Sequence, residues 1–190
     1  MLVQCTSVTD QFGECHTVPL TSFEADVCAD IGPDSLVILP DDRLAVFFRN
    51  GTTVRFGLCP PLPALCSNFT SIAVDSDPLE QGVLSHAVGL FRGMPVLAYS
   101  VATYLRILFC TTMDCTGPAR VESPTLPLSA QGVAFAAEGE KLILGVANEQ
   151  GLWLVDCSNS PADFCFAPRK LSNSTDFAQV CVYCACVRVL

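Results

Sequence analysis

"LVILPDDRLAVFFRNGTTVRFGLC", residues 36–59, decides how the chain is read. Two later stretches align to it without a gap: "AVGLFRGMPVLAYSVATYLRILFC" (87–110) and "AFAAEGEKLILGVANEQGLWLVDC" (134–157). Each has 24 residues and ends in cysteine. Each reads as a short strand, a polar turn, a strand, a second turn and a strand. The first turns fall at 40–43, 91–94 and 138–141. The second carry Asn50-Gly51, Val101-Ala102 and residues 148–151, and Asn-Gly is a strong hairpin signal. Val, Leu, Phe and Tyr between closely spaced turns favour strands over helices.

Working outward, a second cysteine follows each block within a few residues, giving Cys59/Cys66, Cys110/Cys115 and Cys157/Cys165. Cys5/Cys15 forms a fourth pair after "LVQC". From the second cysteine to the next block the distance is 21, 21 and 19 residues. Length variation is therefore concentrated between paired cysteines, which is how loop tips behave. A fourth strand fits after the second cysteine, as in "CSNFTSIAV" and "CTGPARVES". The unit is about 50 residues with four antiparallel strands, A to D, the signature of a β-propeller blade.

Strand C supports this. Val54, Phe56 and Leu58 point one way, and Arg55 and Gly57 the other. Leu105, Ile107 and Phe109 oppose Arg106 and Leu108, and Leu152 and Leu154 oppose Trp153 and Val155. A sheet with one wet face would alternate more cleanly. The expectation is an all-β chain, a partial β-propeller of about 3.5 blades. Residues 1–21 give a half blade, and 34–75, 84–123 and 132–172 give full blades. Residues 176–190 form a Cys/Val-rich tail. It is either the first strand of a next blade or a gene-model artefact, since "VCVYCACVRV" alternates as a translated GT-rich repeat would.

The stretch "FRGMPVLAYSVATYLRILFCTTMDC" (91–115) resembles the repeat of secreted β-propellers whose outer hairpin is pinned by a disulfide. The resemblance runs from 36 to about 171. It implies bridges Cys5–Cys15, Cys59–Cys66, Cys110–Cys115 and Cys157–Cys165, each closing a C–D hairpin. In the chain-entropy model such short loops contribute about 2–3 kcal/mol per bridge. Bridges of this kind persist in oxidising compartments, so the expected location is extracellular or secretory. The competing reading is zinc, which uses paired C-x2–4-C knuckles. Only Cys110/Cys115 comes close, and His16 and His86 do not fall at ligand spacing. No metal and no cofactor are expected. Cys28, Cys181, Cys184 and Cys186 stay unassigned. The acidic box of sialidase-type propellers is missing from "PPLPALC", "TTMDC" and "SNSPADFC".

Ten basic residues against nineteen acidic give a net charge of −9, which argues against nucleic acid and against an anionic membrane surface as partners. No apolar run reaches the roughly 18 residues of a spanning helix. No export signal is visible at Met1; either the tail closes a four-bladed ring by completing the first blade, or, the favoured expectation, the chain is a piece of a larger propeller with further blades. Sequons at Asn50, Asn68 and Asn173 are candidate glycosylation sites. Asp41–Asp42 and Asp75-Ser-Asp77 have calcium-type carboxylates but read as solvated turn acids. Arg55 and Arg106 occupy equivalent strand positions; they could ring a ligand site but read as caps on a blade edge. No nucleophile elbow, P-loop, dinucleotide fingerprint or zinc-protease motif is present. Two functions remain: a non-enzymatic extracellular recognition or scaffold module taking glycan or protein on the propeller's loop faces, or a piece of a sialidase-like glycoside hydrolase. The A–B turns offer Asp41, Asp42, Arg92, Glu138 and Glu140, without the convergent arginines, tyrosine and carboxylates that such a hydrolase needs.

Overall fold

The computed structural model describes residues 2–5, 15–18, 35–50, 53–61, 70–76, 83–101, 104–124, 132–138, 140–158, 165–172, 179–182 and 185–188. The chain is all-β and divides into two compact units, Met1–Asp77 and Pro78–Leu190.

The first unit holds a hairpin, β1 (Leu2–Cys5) with β2 (Cys15–Val18), and one four-stranded antiparallel sheet. That sheet has the order β3 (Leu36–Ile38), β4 (Arg43–Asn50), β5 (Thr53–Pro61), β6 (Thr70–Ser76). The second unit holds two such sheets and a terminal hairpin. One sheet is β7 (Val83–Phe91), β8 (Met94–Val101), β9 (Tyr104–Phe109) and β10 (Arg120–Glu122). The other is β11 (Gly132–Glu138), β12 (Lys141–Asn148), β13 (Gly151–Asp156) and β14 (Arg169–Ser172). The hairpin is β15 (Gln179–Val182) with β16 (Ala185–Arg188).

Every sheet is a simple meander, with each strand paired to its chain neighbour. The turns of the three aligned blocks lie where the sequence puts them: β4, β8 and β12 begin at Arg43, Met94 and Lys141. The Arg92–Gly93 turn has both residues at positive φ, 53° and 76°, the geometry of a type I′ hairpin that matches strand twist. Strand β5 runs through Cys59 to Pro61, whereas β9 and β13 stop one residue before Cys110 and Cys157.

A shared register device ends strand C in the second unit. Cys110 N–H donates to the carbonyl of Pro95 at 3.0 Å, and Cys157 N–H to that of Leu142 at 2.8 Å. Pro95 and Leu142 are equivalent positions, but only Leu142 has an N–H. That N–H donates to Ser158 Oγ at 2.9 Å, and the buried Ser158 hydroxyl turns back to the Leu142 carbonyl. In the other sheet proline removes the donor, so no serine is needed.

Central strands are covered on both faces. In β8, Val96 and Ala98 on one face and Leu97 and Tyr99 on the other are all 2% exposed or less. Ala45, Val46 and Phe47 repeat this in β4, where Phe47 meets its cross-strand partner Phe56 edge-on at 5.0 Å. In the second unit one face of each sheet forms a common core. Ala87, Phe91, Val96, Ala98, Leu105 and Ile107 pack with Val133, Leu142, Leu144, Val146 and Val155. The first strands β7 and β11 lie side by side. Gly89 of β7 lies against Phe135 of β11. A Cβ there would overlap the Phe135 ring, so glycine is the seat on which Phe135 packs. Gly89→Ala is expected to cost about 1–3 kcal/mol by overpacking, read as a lower denaturation midpoint at unchanged m. Gly89→Ala with Phe135→Leu should recover part of that loss; equal loss in single and double variants would place the cause elsewhere.

Candidate recognition face

In a four-stranded meander the A–B turn and the C–D loop leave the sheet at one end, and the B–C turn at the other. The first end collects charge. In the first unit Asp42 takes a left-handed φ of 62°, and Asp41 bonds to Arg43 through Nε at 2.7 Å and Nη2 at 2.6 Å. The Arg43 side-chain hydrogen bond holds the Asp41 carboxyl below the usual carboxylate range. That pairing engages one of the acids considered for calcium; Asp77, the last of the other set, lies outside the described residues. In the second unit Arg92 and Glu140 form an ion pair from the A–B turn of one sheet to that of the next. The Arg92 guanidinium also lies 5.0 Å from the centre of the Phe91 ring. Both charges are well exposed, so the pair orients these turns more than it stabilises them.

The C–D loops at this end carry the disulfides. Cys110–Cys115 has a Cα–Cα distance of 5.0 Å, and Cys157–Cys165 one of 4.1 Å. Cys59 is also disulfide-bonded, while Cys66 lies outside the described residues. Cys5 and Cys15 face each other in the β1–β2 register. The Cys110–Cys115 loop is internally tied. Gly117 N–H donates to Thr112 Oγ1 at 3.2 Å, and Thr116 donates to Asp114 Oδ1 from its hydroxyl at 2.8 Å and its N–H at 3.2 Å. Hydrogen bonding from the Thr112 side chain, then from Thr116, pushes Asp114 down to about 2.

The opposite end is plainer. Asn50 closes β4 at the B–C turn. Asn148 is buried, and its Oδ1 accepts from Gln150 N–H at 2.9 Å and Trp153 Nε1 at 3.1 Å, leaving Nδ2 without a partner. Asn68 and Asn173 lie outside the described residues.

Arg55 ties strand C to strand D, β5 to β6: its Nε donates to Ser71 Oγ at 3.2 Å and its Nη2 to the Ser71 carbonyl at 3.0 Å. Arg106, its counterpart, is half-buried on β9 opposite Tyr99. The outer strands use cations differently, and the repeat alignment did not find this. Arg120 on β10 lies 4.0 Å from the centre of its cross-strand partner Phe109, and Lys170 on β14 lies 5.5 Å from its partner Trp153. An aromatic in strand C with a basic residue early in strand D is the signal that would have shown it. Among the described residues no group of three or more His, Cys, Asp or Glu is placed to hold a metal ion. Among the described residues no helix is long and apolar enough to cross a membrane.

Comparison with protein-family models, with curated proteins and with solved structures finds no match.

The loop geometry has a measurable consequence. Asp114 has a lowered pKa in the folded chain, so its contribution to loop stability is present above its ordinary value of 3.8. That contribution is lost as pH falls through about 2. The side-chain carboxyl carbon followed by NMR should titrate with a midpoint near 2, and Thr116→Val should move the midpoint up. A midpoint at the ordinary value in the unmutated chain would mean that these hydrogen bonds do not persist in solution.

Proposed function

We propose that the chain is a run of disulfide-stapled β-propeller blades from an extracellular recognition or scaffold module, and that it works by binding and not by catalysis. The observation that carries this reading is the use of sheet faces. In the second unit the two sheets commit their facing sides to a common core, to which β7 supplies Ala87 and Gly89 and β11 supplies Val133 and Phe135; the core-facing residues of these strands are apolar, and His86 of β7 is not among them. A propeller glycosidase draws its carboxylates from such inner positions. In the second unit the groups offered for recognition are at the A–B turns and a C–D loop: Arg92, Glu140 and the Asp114 loop. Charged turns of both signs on short rigid hairpins suit a polar partner, either a glycan or a protein surface.

The closed bridges support an oxidising location. The acidic net charge leaves nucleic acid the least suited partner.

The full chain, made in a secretory host and kept oxidised, separates the two functions. It should be retained on a glycan or extracellular-protein array while turning over no member of a fluorogenic glycoside panel, and Arg92→Glu should reduce retention. Turnover of any glycoside would establish the hydrolase reading instead. Absence of retention on both arrays would overturn the recognition reading.

A further inference from the structure

The tail cysteines have no partners assigned by the repeat, and the register of the last hairpin gives them one. Strands β15 and β16 pair Val180 with Val187, Cys181 with Cys186 and Val182 with Ala185. Only residues 183–184 join them. In a hairpin joined by two residues the flanking pair exchanges both backbone hydrogen bonds, and the next pair is non-hydrogen-bonded. Cys181 and Cys186 therefore occupy a non-hydrogen-bonded site, where Cα atoms approach to about 4.5 Å. That is within the span a disulfide bridges.

We propose that Cys181 and Cys186 form a cross-strand disulfide that locks the terminal hairpin, and that Cys184 between them remains a thiol. The ring is no tighter than one the chain already closes: Cys110 and Cys115 have a sequence separation of 5, as do Cys181 and Cys186. In the β1–β2 hairpin Cys5 likewise lies directly opposite Cys15.

The oxidant is a small-molecule disulfide such as glutathione disulfide. The Cys181 thiolate attacks one of its sulfurs and expels a glutathione thiolate. The Cys186 thiolate then attacks the Cys181 sulfur of the mixed disulfide and expels the second. Two protein thiols become one disulfide, and one glutathione disulfide becomes two glutathiones that take up the two protons. The bridge would hold β15 and β16 beside β11 and β12, the strands they neighbour in the second unit.

The full chain, refolded in a glutathione redox buffer and alkylated without reduction, tests this. Chymotrypsin cuts after Tyr183 and leaves Cys181 and Cys186 on separate peptides. The expected result is one linked pair, Cys181 to Cys186, with the alkyl group on Cys184 alone. Cys184→Ser should leave that link intact, and Cys181→Ser should expose Cys186 to alkylation. A link from Cys184 to either neighbour, or alkylation of all three in the unmutated chain while Cys110–Cys115 stays closed, would overturn the assignment.

Discussion

Coverage of both faces of the middle strands is the constraint on which the rest depends. A lone four-stranded sheet can leave one face in water and alternate polar with apolar residues. Here β8 buries Val96, Leu97, Ala98 and Tyr99 in succession, and β12 buries Leu142, Leu144, Val146 and Ala147. Such strands are insoluble as isolated sheets. Stability requires a second layer, and in the second unit the neighbouring sheet supplies it for one face of each. Packing two sheets so closely then dictates residue size where they meet. Ala87, Gly89 and Ala98 on one side accept Phe135 and Leu144 on the other.

Burial falls away toward the fourth strand, and there other forces take over. Val121 on β10 is 38% exposed and Leu171 on β14 is 48% exposed. A short, exposed edge strand gains little from the hydrophobic effect and is a template for unwanted pairing. The chain ties these strands back in three ways. Disulfides close the preceding loops, Arg120 and Lys170 lie over aromatic partners on strand C, and Arg55 grips Ser71. Each acts on strand D from strand C or from the loop between them, because no core lies beneath it.

The sequence carried the strands and turns because their periodicity is local. The ungapped blocks at 36–59, 87–110 and 134–157 locate nine of the strands, and the cysteine spacing locates the outer loops. Contacts between sheets were not legible. Nothing in "AVGLF" says that Gly89 will receive the ring of Phe135, since the two are far apart in the chain and meet only after both sheets exist. The Arg92–Glu140 pair was hidden for the same reason: the turns were visible as charged, not as neighbours. Ser158 bonding to Leu142 was overlooked because a serine after a cysteine looks like loop, and its role shows only beside Pro95 at the equivalent position. For the tail, residues 176–190, the sequence offered at most one strand; Ala185–Arg188 pairs with Gln179–Val182 before it.

The features that make the architecture readable also make the activity hard to read. A repeat is detectable because the same positions do the same structural work in each copy, and here that work is packing. A function carried by one ring of equivalent side chains would leave a recurring polar position in the inner strands. In the second unit Ala87 and Gly89 of β7 and Val133 and Phe135 of β11 serve the core, while β7 also carries His86. The copies differ at their turns and loops: Asp41–Asp42 against Arg92–Gly93 at equivalent turns, and a Cys110–Cys115 loop bound around Asp114 against a longer one at Cys157–Cys165. Rigid hairpins with closed bases hold such differences in place at little entropic cost on binding. Divergent loops on a conservative packed frame allow one architecture to accept unrelated partners.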